Sequence, residues 1–430
     1  MWRESLDGAT RDGERAAGPD EIWVQPPGTP SVGLALLALH AATGDDVFLT
    51  AARGAGHALA RGQLASGGWE YSIDFTPDTF TAVPRAGETA RRGQRAPDST
   101  LDDDTTQSAL RFLLALADVV PDDEAITRAR DRALDGLLAA QLPCGAWPQR
   151  FDGRPVADGA FSTARATIPA DWPRTWPRPD YKKFATLNDN ALRDCVGVLL
   201  DAHRRLGRDD CRAAALRAGE FLIRAQLPEP QPAWAQQYDS HLHPAWARSF
   251  EPPAVTAGES AGAVRTLLDL FVETGDGRFL EPIPRAIAWW RRSEIAPGTW
   301  ARYYELGTNR PIYGDRDGTI HHDIGELSAE RRDGYAWQGS FGVADTIRAY
   351  DKLRDGGRDA ALAHRASPSR DARAKRAREL GPKVHAALDS LDERGIWLTA
   401  PERGAAAVID MKVVVRQLPL LAEYLAATAP

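Results

Sequence analysis

Three groups of side chains have types and spacings suited to chemistry. The first is acidic: Leu101-Asp102-Asp103-Asp104-Thr105-Thr106 places three carboxylates at the start of an expected helix over Thr106–Ala117. Capping and the helix dipole account for one or two of them but not three, and grouped carboxylates otherwise suit a hard cation such as calcium or magnesium. A similar patch, Asn188-Asp189-Asn190, opens a helix at Ala191, so the two lie at corresponding helix starts. The second group is basic. Trp246-Ala247-Arg248, Trp300-Ala301-Arg302, Thr308-Asn309-Arg310-Pro311, Gly314-Asp315-Arg316-Asp317-Gly318 and Glu330-Arg331-Arg332 crowd one stretch of the chain, together with Glu259-Ser260-Ala261-Gly262. Arginines beside Trp, Gly or Pro belong to loops, where their forks can grip carboxylates; structural ion pairing with the neighbouring acids is the alternative. Taken with the acidic patches, they describe a site for a polyanion bridged by a cation.

The third group is aromatic. The chain has 13 Trp against 12 Phe and 9 Tyr, and several Trp, Trp147 among them, stand in loops. A flat ring on a concave rim is a stacking platform for a sugar. The competing role is a plug at the junction between helices, where Trp is commonly buried.

The elements that must position these groups form a repeat. Helical apolar patterns break at Thr43-Gly44-Asp45-Asp46, Pro121-Asp122-Asp123, Leu206-Gly207-Arg208-Asp209 and Thr274-Gly275-Asp276-Gly277, pairing a helix stop with an Asp suited to cap the next helix. A second landmark follows each turn: Gln63-Leu64 leads to Gly67-Gly68-Trp69, Gln141-Leu142 to Gly145-Ala146-Trp147, and Gln226-Leu227 to Pro232-Ala233-Trp234. Ser293-Glu294 leading to Gly298-Thr299-Trp300 is a degenerate copy. The unit is helix, turn, helix, then a Gly/Pro-rich loop ending in Trp, repeated about every 66 to 87 residues. A lone αα-hairpin cannot bury its apolar stripe, so hairpins must pack side by side. The pattern predicts an all-α chain: an α/α toroid, an incomplete barrel of helical hairpins forming one domain over residues 1–430, with long loops making a cleft on one rim. Residues 152–180, rich in Pro, Arg and Trp, read as a surface insertion, and residues 355–378 as a charged excursion. The helix expected over Met411–Ala427 would close the ring.

Composition narrows the function. Lys plus Arg is 53 against 60 for Asp plus Glu, a net charge of −7, without the basic excess of a nucleic-acid binder. No run of ~18 apolar residues suggests a membrane span. Cys144, Cys195 and Cys211 are too few and too irregular for a disulfide framework or a metal motif and read as buried small hydrophobes. Met1–Asp20 lacks the basic-then-apolar order of a signal peptide.

The strings Gly145-Ala146-Trp147-Pro148-Gln149, Asn188-Asp189-Asn190-Ala191, Trp234 through Asp239, Pro244 through Pro253, Gly258 through Gly262 and Trp300 through Gly318 resemble the family 10 pectate lyases. The resemblance spans roughly Leu101–Gly339. It implies an α/α toroid that cleaves polygalacturonate, or a related 4-linked uronate polymer, by calcium-assisted β-elimination. By the same resemblance Asp102 and Asp103 stand beside the substrate, and Asp189 lies near the metal with Asp102 and Glu259. Arg248 and Arg302 grip uronate carboxylates, and Arg316 takes the proton; Arg310, Lys183 and Trp147 complete the expected substrate-binding set. A monomer acting on an acidic polysaccharide, secreted or periplasmic, completes the expectation. The chain departs from the family in reading Asp104-Thr105-Thr106-Gln107-Ser108 where Gly-Ala-Thr-Thr-Thr is usual, and in carrying residues 152–180 where the family has a short link.

Arginine is an odd base, with a pKa above ~12; Lys182, Lys183, Tyr303 and Tyr304 are conventional substitutes. Two other readings stay open: a glycoside hydrolase pairing Asp102 with Asp189 or Glu259, and a toroid that binds uronates without turning them over. An isoprenoid cyclase fits poorly, because its DxDDT string would begin at Leu101 and its pocket needs an apolar lining.

Overall fold

The structure is a computed structural model that describes residues 2–8, 11–363, 370–399 and 407–429. The residues divide into two compact units, Met1–Leu137 with Ser367–Pro430, and Leu138–Ala366. Helices dominate each. The longer ones, in chain order, are α1 (Thr29–Thr43), α2 (Asp46–Gly62), α3 (Thr105–Val119), α4 (Glu124–Ala139), α5 (Ala191–Leu206), α6 (Asp209–Ala225), α7 (Ala257–Thr274), α8 (Ile283–Ser293), α9 (Val343–Ala363), α10 (Arg370–Asp389) and α11 (Met411–Thr428). Among the described residues no helix is long and apolar enough to cross a membrane.

The predicted turns build the hairpins. Gly44 ends α1 in the left-handed conformation at φ 72°, and the Asp45 side chain accepts from Val47 N to cap α2. The Asp276 side chain likewise accepts from Arg278 N. The expected cap of α6 is different: Arg208 holds the capping position without a side-chain bond, and Asp210 accepts instead from Arg208 and Cys211 N.

The Gln-to-Trp landmark has one physical job. Gln63 Nε2 donates to Gly67 O in its own loop and to Ala129 O of α4 (2.7 and 2.8 Å). Gln141 does the same to Gly145 O and Ala214 O, and Gln226 to Pro232 O and Pro282 O. Each Gln thus stitches its loop to the following hairpin. The indoles of Trp69, Trp234 and Trp300 donate to Leu59 O, Leu222 O and Trp290 O of the preceding helix. A buried indole needs such an acceptor. A fifth copy escaped the sequence reading: Trp397 donates to Ala387 O, and Asp392 N to Ile396 O, as Leu64 N does to Gly68 O. Leu391-Asp392 stands there in place of Gln-Leu.

In the first unit α11 packs on α1 and α10, joining the two ends of the chain, while strands Arg3–Ser5, Arg11–Asp12, Leu398–Thr399 and Val408–Asp410 make a small antiparallel sheet. In the second unit α7 packs against α5, α6 and α9. The cysteines are free and buried, as expected. The charged stretch 355–378 is helical at both described ends; residues 364–369 lie outside the described residues. One element went unanticipated: an antiparallel sheet in the second unit, ordered β4-β3-β2-β1, from β1 (Ala254–Thr256), β2 (Tyr303–Glu305), β3 (Pro311–Gly314) and β4 (Ile320–His321).

Candidate functional site

That sheet carries the arginines. Phe250, Ala254, Tyr303, Ile312, Tyr313, Leu327 and Trp337 form an apolar cluster under it, with Tyr335 packed alongside. The guanidiniums gather over its aromatic faces. Arg248 and Arg316 each lie 5.1 Å from the Phe250 ring centre, Arg331 4.5 Å from it, and Arg302 4.6 Å from Tyr335. Phe250 and Tyr335 meet edge to face at 5.4 Å. Arg248, Arg302 and Arg316, far apart in sequence, are therefore neighbours around one aromatic pair, which attracts cations through its ring faces.

Buried carboxylates hold them. Glu251, with a side chain 2% exposed, accepts from Arg248 Nε and Nη2 at 2.8 and 2.6 Å, while Arg248 stays 43% exposed. One end of the pair is anchored and the other is presented. Burial pulls the Arg248 pKa down, but the hydrogen bonds and charge of Glu251 outweigh it and the net shift is upward. Tyr335 Oη donates to Glu251 and meets Tyr303 Oη at 3.1 Å. Arg302 donates to Ala336 O and lies 3.9 Å from Glu259. Neither Glu251 nor Tyr335 was singled out from the sequence. The only signal was the Arg248-x-x-Glu251 spacing.

Two acids face these cations within the unit. Asp189 is open to solvent, yet protein crowds it enough that burial is the largest influence and lifts its pKa, against the fields of Arg248 and Arg302. Glu259, in the first turn of α7, is buried and also shifted upward, by burial first, with Arg302 opposing. Its Oε2 has no hydrogen-bond partner among the described residues. A buried carboxylate oxygen without a donor, in the field of a second carboxyl group, is chemistry that fits a hard cation.

Asp189 and Asn190 both adopt positive φ, 47° and 62°, and Asn190 makes no capping bond to α5. In the first unit Asp103 and Asp104 repeat that backbone at 50° and 55° before α3, again without a side-chain cap. The residues at the two capping positions, Asp104 and Asn190, do not cap their helices through their side chains. Such strain costs about 1–3 kcal/mol per residue and is typical of functional sites. Asp104 is held by Arg111 through two bonds, Asp103 accepts from Gln25 at 3.0 Å, and Asp102 from Tyr71 at 3.4 Å.

Other expected site residues stand elsewhere. Trp147 is 0% exposed and offers no face to a sugar, so its role is the plug. Trp69 and Trp234 are equally buried. Arg310 lies at the exposed tip of the β2–β3 hairpin opposite Glu305, away from the Arg316 end. Lys183 is fully exposed and paired with Asp180 at 2.9 Å at the foot of the 152–180 insertion. Tyr304, one residue from Tyr303, points to the opposite face of β2; its hydroxyl donates to Ser293 O, and burial pushes its pKa up to about 12. Arg316 is exposed and forked onto Glu330 at 3.1 and 3.2 Å, which raises its pKa, while Arg248 works the other way. Glu330 is pulled down to about 2 by Arg331 and Arg316.

A sequence model of the family described as pectic acid lyase matches residues 63–298 and 292–344, more than half of the chain. The chain belongs to the pectic acid lyase family. It is therefore an enzyme, a polysaccharide lyase. Among solved structures, the family 10 polysaccharide lyase from Cellvibrio cellulosa superposes on the chain with a TM-score of 0.52 at 21% identity, covering 75% of this chain and 96% of that one. An aspartate-to-alanine mutant of the Cellvibrio cellulosa lyase, in complex with trigalaturonic acid, gives 0.53 at 21% identity and covers 75% and 98%. At that identity the likeness bears on the fold, which is all-α and of the α/α-toroid class. No curated protein matches the chain.

Proposed function

We propose that this lyase cleaves polygalacturonate, or a related 4-linked uronate polymer, by β-elimination. The observation that carries the reading is the gathering of Arg248, Arg302 and Arg316 around Phe250 and Tyr335, with Asp189 and Glu259 in the field of Arg302. The mutant lyase from Cellvibrio cellulosa binds trigalaturonic acid, which agrees with an acidic polysaccharide substrate.

In the proposed reaction the C5–H bond breaks and its electron pair forms the C4=C5 double bond. The C4–O bond breaks with its pair, and the leaving oxygen takes a proton from solvent. C5 is a weak acid while its carboxylate is ionised, so cations at the carboxylate lower the barrier by meeting the developing charge. Arg248 and Arg302 do this as fixed forks, held by Glu251 and by Ala336 O. Asp189 and Glu259 would hold calcium. When bound, calcium supplies further charge neutralisation at the uronate carboxylate. Arg316 is the proposed base. Glu330 must release it first, because that ion pair favours the protonated form; the charge of Arg248 then acts in the required direction.

The test is incubation with polygalacturonate, methylated pectin and alginate, with and without chelator, read by ultraviolet absorbance of the 4,5-unsaturated product. Calcium-dependent absorbance is expected. Reducing sugar released without absorbance would replace the lyase reaction by hydrolysis, and binding with neither would leave a uronate-binding module.

A further inference from the structure

The insertion at residues 152–180 is tied down along its length. Ser162 N donates to Ser240 O and Ala166 N to Arg224 O. Pro173 O accepts from the Trp246 indole at 2.7 Å, and Arg174 pairs with Glu305 at 2.7 Å while lying 3.7 Å from the Trp172 ring centre. Trp172 and Phe161 are buried. For a segment rich in Pro and charge this is a strap rather than a loose excursion.

Its last anchor falls between two of the arginines. The Trp176 indole donates to Ala247 O at 2.9 Å, one residue before Arg248. Its backbone N donates to Gly318 O at 2.9 Å, two residues after Arg316. Gly318 sits at φ 81°, and a Cβ there would lie 2.9 Å from Trp176 Cβ, so a glycine is what lets the strap seat. A single residue therefore bridges the Arg248 loop and the Arg316 loop. Those loops carry like charges, and Arg248 acts on Arg316 repulsively. Two repelling forks that must face one sugar ring need a brace.

We propose that residues 152–180 are a strap that positions Arg248 against Arg316, with Trp176 as its pin. Trp176 is a positioning residue: it acts through the two arginines. The inference rests on reading this centre as a uronate lyase, and its test keeps the two apart.

The experiment compares Trp176→Ala, Trp176→Phe and Gly318→Ala with Arg174→Ala, which loosens the strap away from the arginine loops. Steady-state elimination is measured beside hydrogen exchange and the thermal midpoint. Trp176→Ala is expected to lower kcat by about 10²-fold, the scale of a misplacement of about 1 Å, with a smaller rise in KM. Trp176→Phe, which keeps ring packing and loses the indole donor, should fall between it and the parent. Exchange should rise in 245–251 and 315–319 but not in β2. Arg174→Ala should keep kcat within about twofold, because Glu305 keeps the Thr308 hydroxyl as a donor and the pair shares no partner with the two arginine loops. Unchanged exchange in both loops of Trp176→Ala overturns the strap, as does an equal loss of kcat in Trp176→Ala and Arg174→Ala. If the parent protein yields no unsaturated product, the lyase reading falls, and the exchange data alone decide the brace.

Discussion

Two aromatic-rich regions of this chain use their rings in opposite ways. In the repeat loops, Trp69, Trp147, Trp234 and Trp300 turn inward, and the visible indole donors end on helix carbonyls. Those rings are spent on internal packing and offer no face to a ligand. Around Phe250 and Tyr335 the rings are also inside, but they serve as a floor for guanidiniums whose outer edges stay in solvent. There the bookkeeping of polar groups does not close: Glu259 Oε2 lacks a donor, and Asp189 carries a raised pKa. Regular spacing with inward-turned rings marks the frame. Irregular spacing with unresolved charge marks the site.

The sharpest way to break that contrast is to remove one residue from each region. Arg316→Ala should abolish elimination and leave the fold intact, because its partner Glu330 is an exposed surface acid and such pairs add little stability. Retained turnover in the absorbance assay would move the base role to another residue. Trp234→Ala should do the reverse. It opens a cavity where a fully buried ring stood and removes the indole bond to Leu222 O, costing about 3–5 kcal/mol in a denaturant titration. The folded fraction of that variant should still turn over normally. A specific activity per folded molecule that fell as far as in Arg316→Ala would erase the distinction between frame and site.

How much of this was legible in the sequence follows the same division. The hairpins were, because Gly44-Asp45 and Gln63 to Trp69 encode local geometry within a few residues. Trp147 was not, since a plug and a sugar platform use the same residue type and differ only in burial. The arginine group was legible as a set, but its anchors were not. Glu251 reaches Arg248 within one short loop, a spacing any surface ion pair could have, and Tyr335 comes to Glu251 from beside a sheet whose strands are two to four residues long, too short to show alternation. Arg310 was misplaced for that reason, since the hairpin that carries it to the far tip could not be seen. Lys183 drew attention by its charge and turned out to serve Asp180.

A smaller effect sharpens the acidic half of the site. Asp189→Ala should raise the calcium concentration needed for half-maximal elimination by about tenfold, the lower end of what altering a metal's immediate surroundings costs. Asp103→Ala in the first unit provides a comparison at a helix start with the same backbone. Equal shifts would give both acids the same task, and an unchanged titration for Asp189→Ala would remove it from the proposed metal shell.

The smallest expected effect concerns stability against pH. Burial raises the Glu259 pKa in the folded chain, so ionising this carboxylate opposes folding. A carboxyl whose folded pKa exceeds its unfolded value of about 4.3 contributes fully below that value, and the contribution is lost as pH rises through the raised folded pKa. Gln keeps the shape without the charge. In chelator, the thermal midpoint of Glu259→Gln minus that of the parent should therefore grow as pH climbs from about 4 to 7. The slope is the measurement, because the amide leaves its own buried nitrogen unpartnered and adds a constant cost at every pH. Calcium should reduce the slope in the parent by compensating the ionised acid. Parallel midpoint curves would mean that Glu259 carries no charge worth relieving, and the acid would then belong with the Trp loops as part of the frame.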